Sequence, residues 1–137
     1  MTSSGKFALD VSAVLALLQN EPGHENVRAV LSKSWIHSVN TAEVIGKLMR
    51  CGAPRGIAIM ALADLQLDVR EEFSFEQAAT CGSLLAETRP EGLSLGDCVC
   101  LTTAAWDGSE VVTADRRWKK LEGRTIHRSA LKIRLIR

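Results

Sequence analysis

The chain has 137 residues, of which 46% are hydrophobic and 24% charged, and its formal net charge is +1. This composition excludes intrinsic disorder, and the length predicts a single domain over residues 1–137, with flexibility in residues 1–5 and in the last few residues. The N-terminus lacks the apolar centre of a signal peptide, and no apolar run approaches the roughly 18 residues of a transmembrane helix, so we expect a cytoplasmic protein that does not enter membranes.

Short apolar runs alternate with helical patterns in the first half of the chain. The predicted elements here are a strand at 7–9, a helix at 11–18, a helix at 24–34, a strand at 35–39, a helix capped by Asn40 or Thr41 that ends near Cys51, and a helix from Pro54 to about 65. The turn sequence Asn20-Glu21-Pro22-Gly23 ends the first of these helices.

The second half continues this alternation. Its predicted elements are a strand at 67–70, a helix from Ser74 that ends before Arg89-Pro90-Glu91-Gly92, a helix from Ser94 to about Trp106, a strand at 110–113, a short helix at 115–121 and a strand at 125–127. Residues 130–137 are predicted to be either a strand or a frayed tail. Alternating strands and helices indicate an α/β domain with a central, mostly parallel, five-stranded sheet and helices on both faces.

Four acidic residues, Asp10, Glu43, Asp97 and Asp115, each stand where an apolar stretch gives way to a helix start. Three of them follow predicted strands, whereas Asp97 lies in the first turn of a helix. In parallel sheets, ligands bind beyond the carboxyl ends of the strands, at the point where the strand order reverses. The four carboxylates are therefore expected at one sheet edge, where they would hold a hard divalent cation for a phosphodiester reaction.

Each acid also has a purely structural explanation. Ser94-Leu95-Gly96-Asp97 fits the capping-box pattern, Asn40-Thr41-Ala42-Glu43 nearly does, and Asp10 and Asp115 stand at N-cap positions. Acids in a first helical turn are also favoured by the helix dipole. If the four acids lie close together in the fold, the cation site is favoured over capping alone. Four neighbouring carboxylates repel each other and raise each other's pKa unless a cation neutralises them.

Positive charge is concentrated at the C-terminal end. Residues 1–115 contain 8 Lys and Arg against 15 Asp and Glu, a net of −7, while residues 116–137 contain 9 against 1, a net of +8. Such a basic band suits a phosphate backbone, although a solvated charged terminus has the same composition. The candidate contacts to such a nucleic-acid backbone at its start are Arg116, Arg117, Lys119 and Lys120. Trp118, among them, either stacks on a base or belongs to the core or to a dimer interface.

Other common chemistries lack their motifs. The chain has no G-x-G-x-x-G or P-loop for nucleotides and no G-x-S-x-G for a serine hydrolase. Cys98 and Cys100 lie two apart on one predicted helix, and without a C-x-x-C pair they do not predict a zinc site. Without a secretory signal, these two thiols, like those of Cys51 and Cys81, are expected to be reduced and mostly buried.

The acids stand in four stretches that extend over nearly the whole chain. These stretches are Leu9-Asp10-Val11-Ser12-Ala13, Asn40-Thr41-Ala42-Glu43-Val44, Leu93-Ser94-Leu95-Gly96-Asp97 and Val111-Val112-Thr113-Ala114-Asp115-Arg116-Arg117-Trp118. In order and spacing they resemble the motifs of PIN-domain endoribonucleases, and in particular of the VapC-type toxins of toxin–antitoxin pairs. The resemblance implies that the four acids form a Mg²⁺ or Mn²⁺ site, with Ser12 and Thr113 as polar support.

The expected activity is metal-dependent endoribonucleolytic hydrolysis of RNA phosphodiester bonds, by a toxin that inhibits translation. Asp10, Asp97 and Asp115 are the expected metal ligands, while Glu43 either ligates the ion or orients the attacking water. By resemblance, the cut leaves a 5′-phosphate on a tRNA, an rRNA or an mRNA. The alternative is a non-catalytic PIN-like domain that binds RNA or another partner through its basic band.

The resemblance also implies two protein partners, a second copy of the chain in a homodimer and an antitoxin whose C-terminal segment crosses the acidic groove. Several apolar helix residues serve either these partners or the core. They are Val14, Leu17, Leu18, Val44 and Leu48.

Overall fold

A computed structural model describes residues 6–137, so the flexibility expected of residues 1–5 lies outside the described part. The helices are α1 (Val11–Gln19), α2 (His24–Val30), α3 (Ser38–Arg50), α4 (Arg55–Asp64), α5 (Phe75–Glu87) and α6 (Leu95–Asp107). The strands are β1 (Phe7–Leu9), β2 (Ser34–His37), β3 (Asp68–Arg70), β4 (Glu110–Thr113), β5 (Thr125–Ile126), β6 (Ser129–Ala130) and β7 (Ile133–Leu135). Short 3-10 turns occupy Leu31–Lys33, Arg89–Glu91 and Arg116–Leu121.

Five strands form one parallel sheet in the order β3-β2-β1-β4-β7, which confirms the predicted α/β fold. The chain places β2 and then β3 on one side of β1, and later returns to place β4 on the other side. The strand order therefore reverses between β1 and β4, where parallel sheets open a ligand crevice at their carboxyl ends. Asp10 follows β1 and Asp115 follows β4, so these two acids flank that point.

Alternate residues of the central strands face two separate cores. Ala8 and Trp35 belong to the core that contains α5 and α6, whereas Leu9 and Ile36 belong to the core formed with α1, α2 and α3. Both faces of the sheet are thus covered by helices, which explains why the central strand β1 is apolar at every position. Within residues 6–137, no helix is both long and apolar enough to cross a bilayer.

The junction between β2 and α3 differs from the prediction. The strand ends at His37 and the helix begins at the next residue, so neither Asn40 nor Thr41 caps it. The imidazole of His37 is the cap, because its Nδ1 accepts a hydrogen bond at 3.1 Å from the backbone N–H two residues later. Sequence rules miss this end because Ser, Thr, Asn and Asp dominate N-caps. As a consequence, Asn40 and Glu43 lie inside the helix, one turn apart.

The fifth strand of the sheet is not the one predicted. The segment predicted as a strand at 125–127 pairs as β5 with β6 in a separate antiparallel hairpin, and β7 completes the sheet beside β4. His127, with a φ of 57°, turns the chain in that hairpin. The last residues are packed rather than frayed, since Ile136 is 2% exposed. The predicted short helix at 115–121 is the 3-10 turn that starts at 116.

Gly23 is the point at which the C-terminal segment touches the turn between α1 and α2. A Cβ at Gly23 would overlap the carbonyl oxygen of Ile136, and its φ is +93°, whereas Gly52 has a φ of +104° and no atom within 4 Å of an added Cβ. Both Ala substitutions cost about 1–2 kcal/mol for the left-handed backbone, but only Gly23→Ala adds an overlap worth at least about 1 kcal/mol more. Urea unfolding of the two variants measures this difference, and equal losses would contradict the packed C-terminal segment.

Candidate active site

Asp10 is the most buried of the four acids, at 4% exposure. It stands at the N-cap of α1 but makes no side-chain capping bond. Its Oδ2 instead accepts hydrogen bonds from the Ser12 hydroxyl at 2.6 Å and from the Thr113 hydroxyl at 2.8 Å. The two predicted support residues therefore both contact Asp10, and they hold it from α1 and from β4 at once.

The same two hydroxyls fix the start of the loop that carries Asp115. The Ser12 hydroxyl accepts from the backbone N–H of Ala114 at 2.9 Å, and Thr113 Oγ1 accepts from the backbone N–H of Asp115 at 3.0 Å. Ser12 Oγ and Thr113 Oγ1 also lie 3.2 Å apart. Asp115 is thereby tied through Thr113 to Asp10.

The charges of the acids act on one buried region. Burial raises the pKa of Asp10 from its usual 3.8 to about 6; the two hydroxyl donors oppose this rise, and the negative charge of Asp97 adds to it. The Cys100 thiol, 4.0 Å from the carbonyl oxygen of Leu9, lies in the same region. Its pKa is raised well above 9.0 by burial, and further by Asp10, Asp97 and Glu43. Asp10, Asp97 and Glu43 therefore lie near enough to this region for their charges to act on it.

Asp97 forms the capping box that the sequence predicts. Its Oδ2 accepts from the backbone N–H of Ser94 at 2.9 Å, and its own backbone N–H donates to Ser94 Oγ at 3.1 Å. The charge of Asp97 nevertheless acts on Asp10. Capping and membership of the acidic cluster are therefore compatible in this residue.

Glu43 extends from α3 to the first turn of α6. A Cβ at Gly96 would overlap Glu43 Oε1, so the carboxylate fills the space that a side chain at 96 would take. Asn40, one turn earlier on α3, donates from Nδ2 to Glu43 Oε1 at 3.2 Å and to the Gly96 carbonyl at 3.0 Å. Asn40 is a contact of the acids that sequence analysis treated only as a helix cap. Its spacing of three from Glu43, on one helix face, is the signal that would have found it.

Asp115 is held by Arg117. The guanidinium donates from Nε to Oδ1 at 3.0 Å and from Nη2 to Oδ2 at 2.7 Å, and the backbone N–H of Arg117 also donates to Oδ1 at 3.0 Å. These bonds lower the pKa of Asp115 below its usual 3.8. Arg117 was predicted to contact RNA, yet here it neutralises a predicted metal ligand. Its side chain is 60% exposed, so solvent can reach the pair.

The donor atoms suit a hard cation, although the side chains are not arranged around one. Within residues 6–137, no three Asp, Glu, His or Cys side chains form a group that could hold a metal ion as placed. Asp97 and Asp115 are hydrogen-bonded to the backbone N–H of Ser94 and to Arg117. The oxygen atoms near which a cation could lie are those of the carboxylates and Asn40 Oδ1. The latter is buried and receives no hydrogen bond from the described residues. An all-oxygen set fits Mg²⁺ or Mn²⁺.

Much of the C-terminal positive charge is neutralised within the fold. The ion pairs are Lys119 with Glu122, Arg124 with Glu87, Arg134 with Glu110 and Arg137 with Glu21. Arg116 and Lys120 are exposed, and neither forms an ion pair with any residue in the described part of the chain. Of the four predicted RNA contacts, these two are therefore open to a ligand, whereas Arg117 and Lys119 already have partners.

Trp118 and the apolar helix residues that were assigned either to partners or to the core belong mainly to the core. Trp118 is 1% exposed, which excludes stacking on a base and leaves the core role. Val14, Leu17 and Val44 are buried, and Leu18 and Leu48 are partly buried against them. All four cysteines are free thiols, three of them buried and Cys51 exposed.

Removing the buried charge of Asp10 is expected to stabilise the metal-free protein above neutral pH. A carboxyl whose pKa is raised from 3.8 to about 6 contributes stability that is fully present below pH 3.8 and is lost as pH rises through about 6. Asp10→Asn keeps an acceptor for the two hydroxyls, so in EDTA it should gain up to about 3 kcal/mol over the wild type near pH 8, and little near pH 4. Urea unfolding across this range measures the gain. The exposed Asp64→Asn is the control, and a gain independent of pH would contradict the buried charge.

Comparison with known proteins places this geometry in a family. The model of the PIN domain family matches residues 7–124, and no curated protein sequence matches the chain. The fold is similar to DNA-bound VapBC from Salmonella typhimurium, at 22% identity over 97% of this chain and 99% of that one, with a TM-score of 0.72. It is also similar to VapBC2 from Rickettsia felis bound to a fragment of its promoter (17% identity, 93% and 97% coverage, TM-score 0.66) and to a toxin–antitoxin complex from Klebsiella pneumoniae (16%, 85% and 90%, 0.63). Because the family match spans most of its length, the chain belongs to the PIN domain family.

Proposed function

We propose that this chain is a Mg²⁺- or Mn²⁺-dependent endoribonuclease that acts as the toxin of a toxin–antitoxin pair and inhibits translation. The observation that carries the proposal is the acidic environment at the point where the strand order of the sheet reverses: Asp97 and Glu43 add their charge to the region of Asp10, and Asp115 is tied to Asp10 through Thr113. Membership of the PIN family supports nuclease chemistry at this edge. Likeness to VapBC and to a toxin–antitoxin complex supports the biological setting.

The acids have distinct parts in the proposed reaction. A bound divalent ion supplies a Lewis acid that activates water and offsets the charge developing on the phosphate. Asp10, held by its two hydroxyl donors, would be the fixed ligand, and Asp97 and Asp115 would complete the set. Glu43 would orient the attacking water for in-line hydrolysis, in which the water oxygen bonds to phosphorus while the P–O3′ bond breaks and the departing oxygen takes up a proton. The products would carry a 5′-phosphate and a 3′-hydroxyl.

The proposed substrate is a structured RNA such as a tRNA, an rRNA or an mRNA. Arg116 and Lys120 are exposed and follow Asp115 in the chain, and they would contact the phosphate backbone of the RNA. Arg117 and Lys119 would join them after leaving their present partners. Such contacts position an RNA but do not specify its sequence.

The proposed protein partner is an antitoxin. Helices α3 and α4 pack together and leave apolar side chains in solvent, with Met49 42%, Ile57 57% and Met60 60% exposed. A flexible apolar surface of this kind suits an amphipathic segment of a partner protein. Homodimer formation and a cytoplasmic location are included in the proposal on the basis of family resemblance.

A second candidate function is a non-catalytic PIN-like domain that binds RNA. The observation that favours it is the Arg117 guanidinium on both oxygens of Asp115, since that contact already satisfies an acid without a metal. The two candidates differ in whether RNA is cut when a divalent ion is supplied.

RNA digestion by the antitoxin-free protein tests the proposal. Cleavage is expected in Mg²⁺ or Mn²⁺ and not in EDTA, and Asp97→Asn is expected to lower the rate at least about 100-fold because a metal ligand loses its charge. Asp64→Asn, an exposed acid at the end of α4, is the matched control and should cut at the wild-type rate. Cleavage that persists in EDTA, or an Asp97→Asn variant as active as the control, would rule out the metal site, and binding without cleavage would favour the second candidate.

Metal binding is also expected to compete with Arg117 for Asp115. Arg117→Gln should therefore tighten Mn²⁺ binding, measured by isothermal titration calorimetry, by about two- to fivefold, the range expected when an exposed ion pair is removed. Arg116→Gln is the control. It removes a positive charge one residue away that forms no ion pair, so it measures the effect of the lost charge alone on Mn²⁺ affinity. If both variants shift the affinity equally, Arg117 does not compete with the ion.

A further inference from the structure

The amide of Asn40 has only one orientation that satisfies its neighbours. The two atoms closest to its nitrogen are Glu43 Oε1, at 3.2 Å, and the Gly96 carbonyl oxygen, at 3.0 Å. Both are acceptors, so the NH₂ group must face them, and the reversed amide would place its oxygen against two oxygens. The remaining atom of the amide, Oδ1, therefore faces away from both contacts.

This Asn40 Oδ1 lacks a donor in a place where polar atoms normally have one. Asn40 is 1% exposed, and none of the residues from 6 to 137 donates to Oδ1. A buried acceptor that is left without a donor destabilises the folded state, because it has lost its hydrogen bonds to water. Because no residue in the described part of the chain supplies that donor, the hydrogen bond must come from a water or a ligand.

The absence of a side chain at Gly96 makes room for the Glu43 carboxylate. The carboxylate fills the position of the missing Cβ, where an added carbon would overlap Oε1. Gly96 is itself buried, and it lies directly before Asp97 in the first turn of α6. Asn40 and Gly96 together place the Glu43 carboxylate between α3 and α6, beside the acidic cluster. This position is the seat of Glu43.

We propose that Asn40 is a positioning residue of the acidic site: its NH₂ group holds Glu43 in the seat formed by Gly96, and its Oδ1 accepts a hydrogen bond from a water of a hydrated divalent cation. The inference rests on the proposed function, since it assigns the unsatisfied oxygen to that cation's hydration shell. Mg²⁺ keeps several waters when it is bound through a few carboxylates, so an outer acceptor of this kind suits it. Groups that act in this way typically account for 10–100-fold in metal affinity or activity.

Two substitutions at Asn40 test the proposal from the donor side. Asn40→Ala removes the amide, and Asn40→Leu removes its polar atoms while it keeps the volume, so the second variant serves if the first does not fold. Both are expected to bind Mn²⁺ about 10–100-fold more weakly in calorimetry and to lower kcat for RNA cleavage with little change in KM. Asn26→Ala is the control, because the Asn26 amide also donates to a backbone carbonyl, that of Ile136 at 2.9 Å, but on α2. It should lose stability and keep wild-type affinity and kcat.

Gly96→Ala tests the seat of Glu43 without a large threat to the fold. The added methyl meets the end of a flexible side chain, and Ala is favoured over Gly in a helix. We expect a stable protein with kcat lowered as in the Asn40 variants, whereas Gly82→Ala, on α5 with nothing within 4 Å of the added Cβ, should keep wild-type kcat. Wild-type Mn²⁺ affinity and kcat in both Asn40→Leu and Gly96→Ala would overturn the inference and leave the proposed function intact. A wild-type protein that binds no Mn²⁺ and cuts no RNA would overturn both.

Discussion

Asp10 places a carboxyl group at the end of the central strand with 4% exposure, where desolvation opposes its charge. The fold supports this unfavourable position with two hydroxyls, one from α1 and one from β4, and both come from residues of the neighbouring elements that must pack beside β1 in any case. The adjacency of β1 and β4 is therefore the constraint on which the site depends. It brings Thr113 to Asp10, and through Thr113 it fixes the loop that carries Asp115.

The other acids relieve their mutual repulsion with groups from the chain itself. Asp115 takes the guanidinium of Arg117, Asp97 takes a backbone N–H of its own helix start, and Glu43 takes the amide of Asn40. These partners differ in how readily they can leave. Arg117 is a largely exposed side chain, whereas Asn40 is buried and bonded to two elements. Metal binding would therefore replace Arg117 at Asp115 by a cation, whereas Asn40 would stay bound to Glu43. The site thus has one replaceable partner and one permanent partner.

The sequence predictions were correct where an element depends on neighbouring residues and wrong where it depends on contacts with distant parts of the chain. The capping box at Ser94 and Asp97, a local pattern, was predicted and is present. The start of α3 was predicted wrongly, because a histidine cap depends on where β2 ends in the sheet. The segment at 125–127 has strand character, but its pairing with the hairpin rather than the sheet depends on β7 taking the edge beside β4. Asn40 was predicted only as a helix cap, although its spacing of three from Glu43 is a local signal; its second contact, with the Gly96 carbonyl 56 residues away, depends on how α3 and α6 pack.

The sequence by itself determined the α/β class, the positions of Asp10 and Asp115 after strands and the capping box of Asp97, because periodicity, turn residues and capping patterns are local properties. It did not determine how charge is distributed in space. Four of the nine basic residues in the C-terminal band, Arg117, Arg124, Arg134 and Arg137, pair with acids from earlier in the chain. Only the tertiary structure decided those pairings and the seat of Glu43 between Asn40 and Gly96, because each requires elements distant in sequence to meet at one edge of the sheet.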